Sequence, residues 1–428
     1  MLRYTQMIDN EGVTGIVQRT FNLVDPRLID HGTRVAYQVW RMLEHLGGYT
    51  PVEQRDICFV AMLHDIGAYK TEEIDKMVEF ETHDVWGHSI YGYLFLKYFS
   101  PFGELAPAVL LHHAPLEMAR RWPGVTEQCR ELAQLINAAD RADIYFEHAA
   151  PEHRNMATFL HRAGAGGIGP WALEQFRRAG APACAAPGAE GDAAFHRVLN
   201  IPFAPEQIDA IFKMVVFAID FRSRHTVTHT MTTTGISREL AVGMGLEEDE
   251  VSRVVCGALL HDLGKIGVPV EILEYPGKLS PQAMQVMRTH VQLTGDILGN
   301  TVQRDIRLIA LRHHEKLDGS GYPLGLRGEA LTMAQRVVAV ADIVSALCGT
   351  RSYKEAYPKE KTLAIVQKMK AEGLIDPDVV DCLTDRFDAI MEVVRRQTAP
   401  VLQAYRQVQR EYQQLEAMAH GRLAAADC

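Results

Sequence analysis

Histidine and aspartate recur in two matching series along this sequence. The first runs His31, His64-Asp65, His88, His112-His113, Asp140, and the second runs His229, His261-Asp262, His290, His313-His314, Asp342. Successive spacings are 33, 24, 24 and 27 residues in the first series and 32, 29, 23 and 28 in the second. Ten of the 18 histidines fall on this frame. Imidazole and carboxylate without thiolate suit Fe, Mn, Zn, Co or Ni. Seven such groups exceed the needs of one tetrahedral ion and suit two ions with a carboxylate between them. Two ions about 3.5–4 Å apart lower the pKa of a bridging water and neutralise phosphate oxygens, which is equipment for cleaving a phosphoester. Neighbouring residues project about 100° apart on a helix, so His-Asp or His-His at a helix end can aim one side chain at each ion.

A lone histidine in such a place is ordinarily a core residue that has found a hydrogen bond. Seven groups repeated in order, with flanks that also agree (HGTRVA beside HTMTTT, LLHH beside LRHH, AADRAD beside VADIVS), read instead as a duplicated domain with a metal site in each copy.

The elements that must carry these groups read as helices. Val35, Val39, Met42, Leu43 and Leu46 fall at helical spacing, as do Ile208, Ile211, Phe212, Val215, Val216 and Ile219, while strand-like alternation is scarce. The expected fold is all-α. Residues 163–194 are rich in Gly, Ala and Pro and read as a flexible linker or insertion with at most one short helix around Trp171–Arg178. The expected division is a first domain over 1–162, the linker over 163–204, a second domain over 205–398 and a C-terminal helix over 399–428. In that helix Val401, Tyr405, Val408, Tyr412, Leu415 and Ala419 step by 4, 3, 4, 3 and 4. Such a stripe serves either a terminal helix packed on its own domain or the coil of a homodimer.

Bulk properties narrow the class. At 428 residues the chain exceeds one ordinary core, and a net charge of −10 weighs against polymeric nucleic acid as a partner. Seven scattered cysteines without a CxxC point to a reducing compartment and to neither a disulfide framework nor a zinc ribbon. No run approaches the roughly 20 apolar residues of a membrane helix, so the expectation is a cytoplasmic protein with no membrane partner.

The run from His261 to Lys354 contains HDLGKIGVP, GKLS, HVQLTGDIL, HHEKLDGSGYPLGLRGE, AQRVVAVADIVSAL and TRSYK. Residues 205–395 thereby resemble the HD-GYP family, the metal-dependent phosphodiesterases of bacterial cyclic dinucleotides. Residues 15–160 resemble the broader HD superfamily without the GYP element. The fold implied is a tandem of duplicated HD-type helical domains with a C-terminal helix. The resemblance also implies roles. His229, His261 and Asp342 would hold one divalent metal, His290, His313 and His314 a second, and Asp262 would bridge them. Iron or manganese is expected, with nickel, cobalt and zinc as alternatives. Lys265, near one turn past Asp262, would reach a phosphate or the leaving oxygen. Tyr322 in the GYP loop would lie against a base or phosphate, and Arg351 and Lys354 would grip the substrate phosphates.

The sequence departs from the family in places. His225 stands where members with a third metal have glutamate, which leaves a third ion open. Ser345 replaces a frequent Asp, and Ser352 a frequent Pro. In the first copy the metal-ligand types are intact but the substrate apparatus is not. Ala68 takes the place of Lys265, APLEMARRWPG follows His112-His113 instead of the GYP run, and Ala149 and Glu152 take the places of Arg351 and Lys354. Lys70, Arg120, Arg121 or Arg141 would have to supply cations from elsewhere.

The expected activity is hydrolysis of a 3'–5' phosphodiester bond in cyclic di-GMP or 3',3'-cyclic GMP–AMP, by water activated between two metals, giving a linear 5'-phosphorylated dinucleotide. One alternative is a cyclic-dinucleotide-binding signalling module. Another gives the first domain a separate task, either regulatory or as a nucleotidase acting on the linear product.

Overall fold

A computed structural model describes residues 8, 10–23, 26–68, 86–148, 154–180, 193–222, 228–349 and 356–426. His225, Arg351, Lys354, Ser352, Lys70, Ala149 and Glu152 lie outside the described residues. Two compact units divide the chain: Val24–Pro202 with Gln407–Cys428, and Met1–Leu23 with Phe203–Arg406. Both are helical, and the two isolated bridges among the described residues, Ile8 with Val302 and Asp318 with Arg327, fall in the second unit.

Helix α1 (Asn10–Asn22) was expected with the first domain but belongs to the second unit. Its apolar side chains Val13, Ile16, Val17 and Phe21 are fully buried, and Arg19 donates from Nε to the Ile297 carbonyl at 2.6 Å and from Nη2 to Thr301 Oγ1 at 3.1 Å. An amphipathic helix shows that it must pack but not on what.

The first unit is built from α2 (Pro26–Leu46), α3 (Pro51–Met62), α4 (Trp86–Phe99), α5 (Ala106–Leu110), α6 (Leu116–Arg121), α7 (Glu127–His148), α8 (Met156–Ala165), α9 (Pro170–Arg178) and α10 (Ala193–Leu199). Helix α2 turns Val35, Val39, Met42 and Leu43 inward, all fully buried, each worth about 1.5–3 kcal/mol in transfer from water. Thr50 and Glu53 form a capping box that starts α3. The described parts of the stretch expected as a linker, 163–180 and 193–204, include packed helix. Just before this stretch, Asn155 caps α8 by accepting the Thr158 N–H at 2.9 Å; within it, Ala172, Phe176 and Phe195 are buried. Gln134 of α7 ties the α9 entry down, accepting the Gly169 N–H at 2.8 Å. Small residues read there as flexibility are also what closely packed helices need.

The second unit continues with α11 (Pro205–Arg222), α12 (His229–Gly243), α13 (Glu248–Leu260), α14 (Val270–Leu273), α15 (Pro281–Leu298), α16 (Arg304–Leu311), α17 (Met333–Cys348), α18 (Lys359–Ala371) and the first part of α19 (Pro377–Ala426). Its core joins Ile236 and Leu240 of α12, Val254 and Ala258 of α13, Val337, Val340 and Val344 of α17, and Val380 and Leu383 of α19. Beyond Arg406, α19 belongs to the first unit. There Val408 and Ala419 are buried, Tyr412 stacks on Tyr91 with centroids 4.1 Å apart, and Glu411 accepts from Lys97 Nζ at 2.8 Å. Part of the heptad stripe is thus used within the chain.

The His-Asp pairs sit where α3 and α13 end. In each copy the following turn leans on the backbone of the next helix in the series. A Cβ on Gly67 would lie 1.9 Å from the His88 carbonyl oxygen, and one on Gly264 would lie 2.0 Å from that of His290. Only glycine permits that approach.

Candidate metal centres and the cleft beside one of them

In the second unit five segments converge. The start of α12 supplies His229, the end of α13 His261-Asp262, α15 His290, the turn after α16 His313-His314, and α17 Asp342. Asp262 lies between two histidine groups. Its Oδ2 is 3.4 Å from His229 Nε2 and 3.1 Å from His261 Nε2, while its Oδ1 is 3.5 Å from His290 Nε2 and 3.8 Å from His313 Nε2. Asp342 closes the outer sides, with Oδ1 3.1 Å from His229 Nε2 and Oδ2 3.6 Å from His314 Nδ1. Within each of the sets His229, His261, Asp262 and His290, His313, His314, one ligand-type atom per residue lies within 4.8 Å of the others.

The imidazoles are oriented by their own helices. The Nδ1–H groups of His261, His290 and His313 donate to the carbonyls of Ala258, Met287 and Ala310 at 2.6–2.7 Å, three residues back in each case. This orients each ring and turns its Nε2 inward, the nitrogen that is left for a metal once it is deprotonated. His229 uses the Ser345 hydroxyl instead, 3.0 Å from its Nδ1. His229 Nε2, His261 Nε2 and Asp262 Oδ1 are buried and make no hydrogen bond. Buried polar atoms left this way are costly, and a cation is the group that satisfies lone pairs converging from nitrogen and carboxylate oxygen. The donor set therefore fits divalent metal. Burial opposes ionisation of Asp262, but the charges of His261 and Lys265 overcome it and hold the carboxyl well below its usual range. Burial holds His314 neutral, lowering it to about 3.

Beside this cluster lies a cavity of about 380 Å³ whose walls include His229, Lys265, Lys278, His290, His314 and Tyr322. Lys265 Nζ donates to Asp262 Oδ2, so a cation stands at the rim of the ligand set. The Tyr322 ring packs 4.6 Å from that of His314, with the Arg288 guanidinium 4.6 Å from its centroid. The loop bearing Tyr322 is held from beneath by Glu315, a buried carboxylate that accepts the Leu324 N–H at 2.7 Å and the Leu326 N–H at 2.9 Å. The Tyr322–Pro323 bond is cis. Sequence reasoning did not single out Glu315, Arg288 or Lys278. Glu315 lies inside the motif that was noticed, but it acts on backbone, which no residue-type pattern reveals.

The first unit repeats the arrangement. His31 Nε2 is 3.1 Å from Asp140 Oδ1, and Asp65 Oδ1 is 3.7 Å from His88 Nε2 and 3.4 Å from His112 Nε2. Ligand-type atoms group as His31, His64, Asp140 and as Asp65, His88, His112, His113. His64 and His112 donate from Nδ1 to the carbonyls of Ala61 and Val109, and their Nε2 atoms make no hydrogen bond. His31 donates from Nδ1 to Asp143 at 2.7 Å, and Asp143 also accepts from Arg34. Both seven-residue series are therefore brought together. Ala68 is fully buried and brings no cation, and Arg120 pairs with Glu117 at 3.1 Å.

Comparison with known proteins agrees with the duplication. Residues 28–144 and 213–379 each match a family described as HD domain. A cyclic di-GMP phosphodiesterase response regulator of Xanthomonas campestris is 41% identical over 169 residues, 39% of this chain and 44% of that protein. The 3'3'-cGAMP-specific phosphodiesterase 1 of Vibrio cholerae is 25% identical over 393 residues, 86% of this chain and 89% of that protein. The chain thus spans under half the length of the first of these relatives and most of the second. The crystal structure of a cyclic GMP-AMP specific phosphodiesterase of V. cholerae, V-cGAP3, is alike with a TM-score of 0.53 at 18% identity, covering 89% of this chain and 98% of that one, a likeness of fold. No helix among the described residues is long and apolar enough to cross a membrane.

Proposed function

We propose that this chain, which belongs to the HD family through both of its units, hydrolyses a 3'–5' phosphodiester bond of a cyclic dinucleotide in its second unit, releasing a linear dinucleotide with a 5'-phosphate. The observation that carries the reading is the position of Asp262. One buried carboxylate reaches both histidine groups, with Lys265 and the Tyr322 loop on the open side. His229, His261 and Asp342 are the proposed ligands of one divalent ion, His290, His313 and His314 of the other, with Asp262 between them. When bound, such a pair supplies water activation and neutralisation of phosphate charge. Iron or manganese is proposed, with nickel, cobalt and zinc as the alternatives that elemental analysis separates.

The chain's own residues do the remaining work. The backbone carbonyls behind His261, His290 and His313 hold the rings in the neutral tautomer that presents Nε2. Lys265 balances the charge of Asp262 and, within the cavity, stands ready to shift its ammonium to a phosphate oxygen. Tyr322, backed by Arg288, offers a flat face for a base and is fixed over His314. Arg351 and Lys354, beyond the described residues, are proposed as further phosphate contacts. The cysteines among the described residues are free, three of them buried, which supports a cytoplasmic setting.

The test is product analysis of metal-reconstituted protein given cyclic di-GMP and 3',3'-cyclic GMP–AMP side by side. Wild type should yield the linear product from at least one of them and the Asp262→Ala variant from neither. Turnover by Asp262→Ala at the wild-type rate would remove this reading, and tight binding without turnover in wild type would favour the signalling module.

A further inference from the structure

The helix that carries Asp140 does something in the first unit that its counterpart does not do in the second. On α7, Asn137, Arg141 and Tyr145 follow one another at i, i+4 and i+8 and so share a face. Counted from Asp342 as these are from Asp140, the residues on α17 are Ala339, Ile343 and Leu347. In the second unit that face is core: Ala339 is buried, and Ile343 and Leu347 pack against the hydrophobic cluster. In the first unit it is polar and borders a cavity of about 670 Å³, with Phe159 and Arg162 of α8 also in its wall.

The cavity reaches the ligand set. His113, grouped with Asp65, His88 and His112, lines it, and His113 Nδ1 is buried without a hydrogen bond, 3.7 Å from Asp140 Oδ2. Neither Arg141 nor Arg162 makes an ion pair with a carboxylate among the described residues, although the Arg141 charge acts on Asp140, whereas Arg120, Arg130, Arg177 and Arg178 of the same unit are all paired. The Arg162 guanidinium lies 5.9 Å from the Tyr145 ring centroid. Two guanidiniums without an ion-paired carboxylate suit a phosphate, for which Arg is the bidentate donor. Tyr145, Phe159 and Ile168 supply apolar and aromatic wall for a flat organic body.

We propose that the first unit holds a second ligand site, for a small organic phosphate monoester, with the phosphate between Arg141, Arg162 and the His113 end and the organic body along Tyr145 and Phe159. The site is separate from the cleft beside Tyr322 and lies on a flank of the Asp140 helix that the second copy has filled with core.

The test uses the full chain and titration calorimetry with guanosine 5'-monophosphate and with inorganic phosphate, beside a separate assay of cyclic-dinucleotide turnover. Wild type should bind the nucleotide more tightly than phosphate. Arg141→Ala and Arg162→Ala should each weaken nucleotide binding at least tenfold, and Tyr145→Ala should weaken it while sparing phosphate. Turnover of cyclic dinucleotide should stay within twofold of wild type in all three, and thermal unfolding with wild-type transitions reports that the first unit folds. Lys265→Ala should leave nucleotide binding unchanged. Absence of nucleotide binding in wild type, indifference to both arginine variants, equal affinity for phosphate and nucleotide, or loss of binding in Lys265→Ala would each overturn the proposal. The binding readouts do not depend on whether the second unit proves to be a phosphodiesterase.

Discussion

The hydroxyl of Ser345 lies 3.0 Å from Nδ1 of His229 and donates its own proton to the His229 backbone carbonyl at 3.1 Å. The first copy places a carboxylate there, Asp143, 2.7 Å from His31 Nδ1. A charged acceptor behind an imidazole raises the basicity of the far nitrogen more than a neutral hydroxyl does, and losing such a partner typically costs about 10–100-fold in metal affinity. Asp143→Ala should therefore weaken metal binding in the first unit by about 10-fold or more, and Ser345→Ala should weaken that in the second unit by less. Ser345→Asp should tighten it. Competitive chelator titrations of the three variants check the order, and an equal effect of the two alanine changes would contradict it.

Metal uptake should release protons. Burial disfavours the charged form of His261, but the carboxylates of Asp262 and Asp342 outweigh it and raise its pKa to about 10. His31 is likewise opposed by burial and raised to about 10 by Asp140 and Asp143. Near neutral pH the metal-free protein thus carries a proton on each, while His314, lowered to about 3 by burial, is already neutral. An ion that takes Nε2 of His261 or His31 must displace that proton, so affinity should rise with pH from about 6.5 toward 10. Stability of the metal-free protein follows the same groups. The contributions of His261 and His31 are full below 6.5 and fade as pH rises toward 10, whereas that of His314 is full above 6.5 and fades as pH falls toward 3. Calorimetry of Mn²⁺ binding near pH 7.5 in buffers of different ionisation enthalpy should show a net release of protons. No dependence on buffer would refute the argument.

The seven-residue frames were legible because ligand chemistry restricts residue type, and a repeat in order is hard to produce otherwise. The helices were legible from apolar spacing. What escaped was whatever depends on a partner rather than a pattern. Helix α1 shows an apolar stripe but not that the stripe packs in the unit of His229. Gln134, which holds the Gly169 N–H from 35 residues away, and the buried aromatics Phe176 and Phe195 turn part of an apparently loose stretch into packed helices through contacts no local window contains. Glu315 sat in plain view between His314 and the GYP run, but its partners are two backbone N–H groups on the far side of a turn.

That carboxylate yields a third expectation. Its two oxygens serve two N–H groups, and an amide offers one acceptor and places a donor against the other N–H. Glu315→Gln should loosen the loop that carries Tyr322 and raise KM for cyclic dinucleotide by about 10-fold, roughly the loss of one buried hydrogen bond to a charged group. Metal content should not change, because Glu315 lies outside both ligand groups. Steady-state kinetics with parallel metal analysis separates the two effects. A variant that keeps its KM, or that loses metal in proportion to activity, would show that Glu315 acts otherwise.

The glycine of each His-Asp-x-Gly turn is the last point of leverage. A methyl group on Gly264 would meet the His290 carbonyl oxygen at 2.0 Å and the Thr294 nitrogen at 2.5 Å, both backbone atoms of α15 that cannot step aside singly. Thr294 also binds this turn, accepting the Gly264 N–H at 2.9 Å and donating to the His261 carbonyl at 3.1 Å. Gly264→Ala should push α15 away from the turn, separate His290 from Asp262, and cost about 1–3 kcal/mol as overpacking does. Gly67→Ala should do the same to His88 in the first unit, where the carbonyl stands at 1.9 Å. Gly421→Ala is the control: nothing lies within 4 Å of its Cβ position inside α19, and a helical Gly→Ala change there should stabilise by about 1 kcal/mol or less. Thermal unfolding and metal content measured together decide the matter. A Gly264→Ala protein that retains wild-type stability and full metal would show that the turn can yield without moving the ligands.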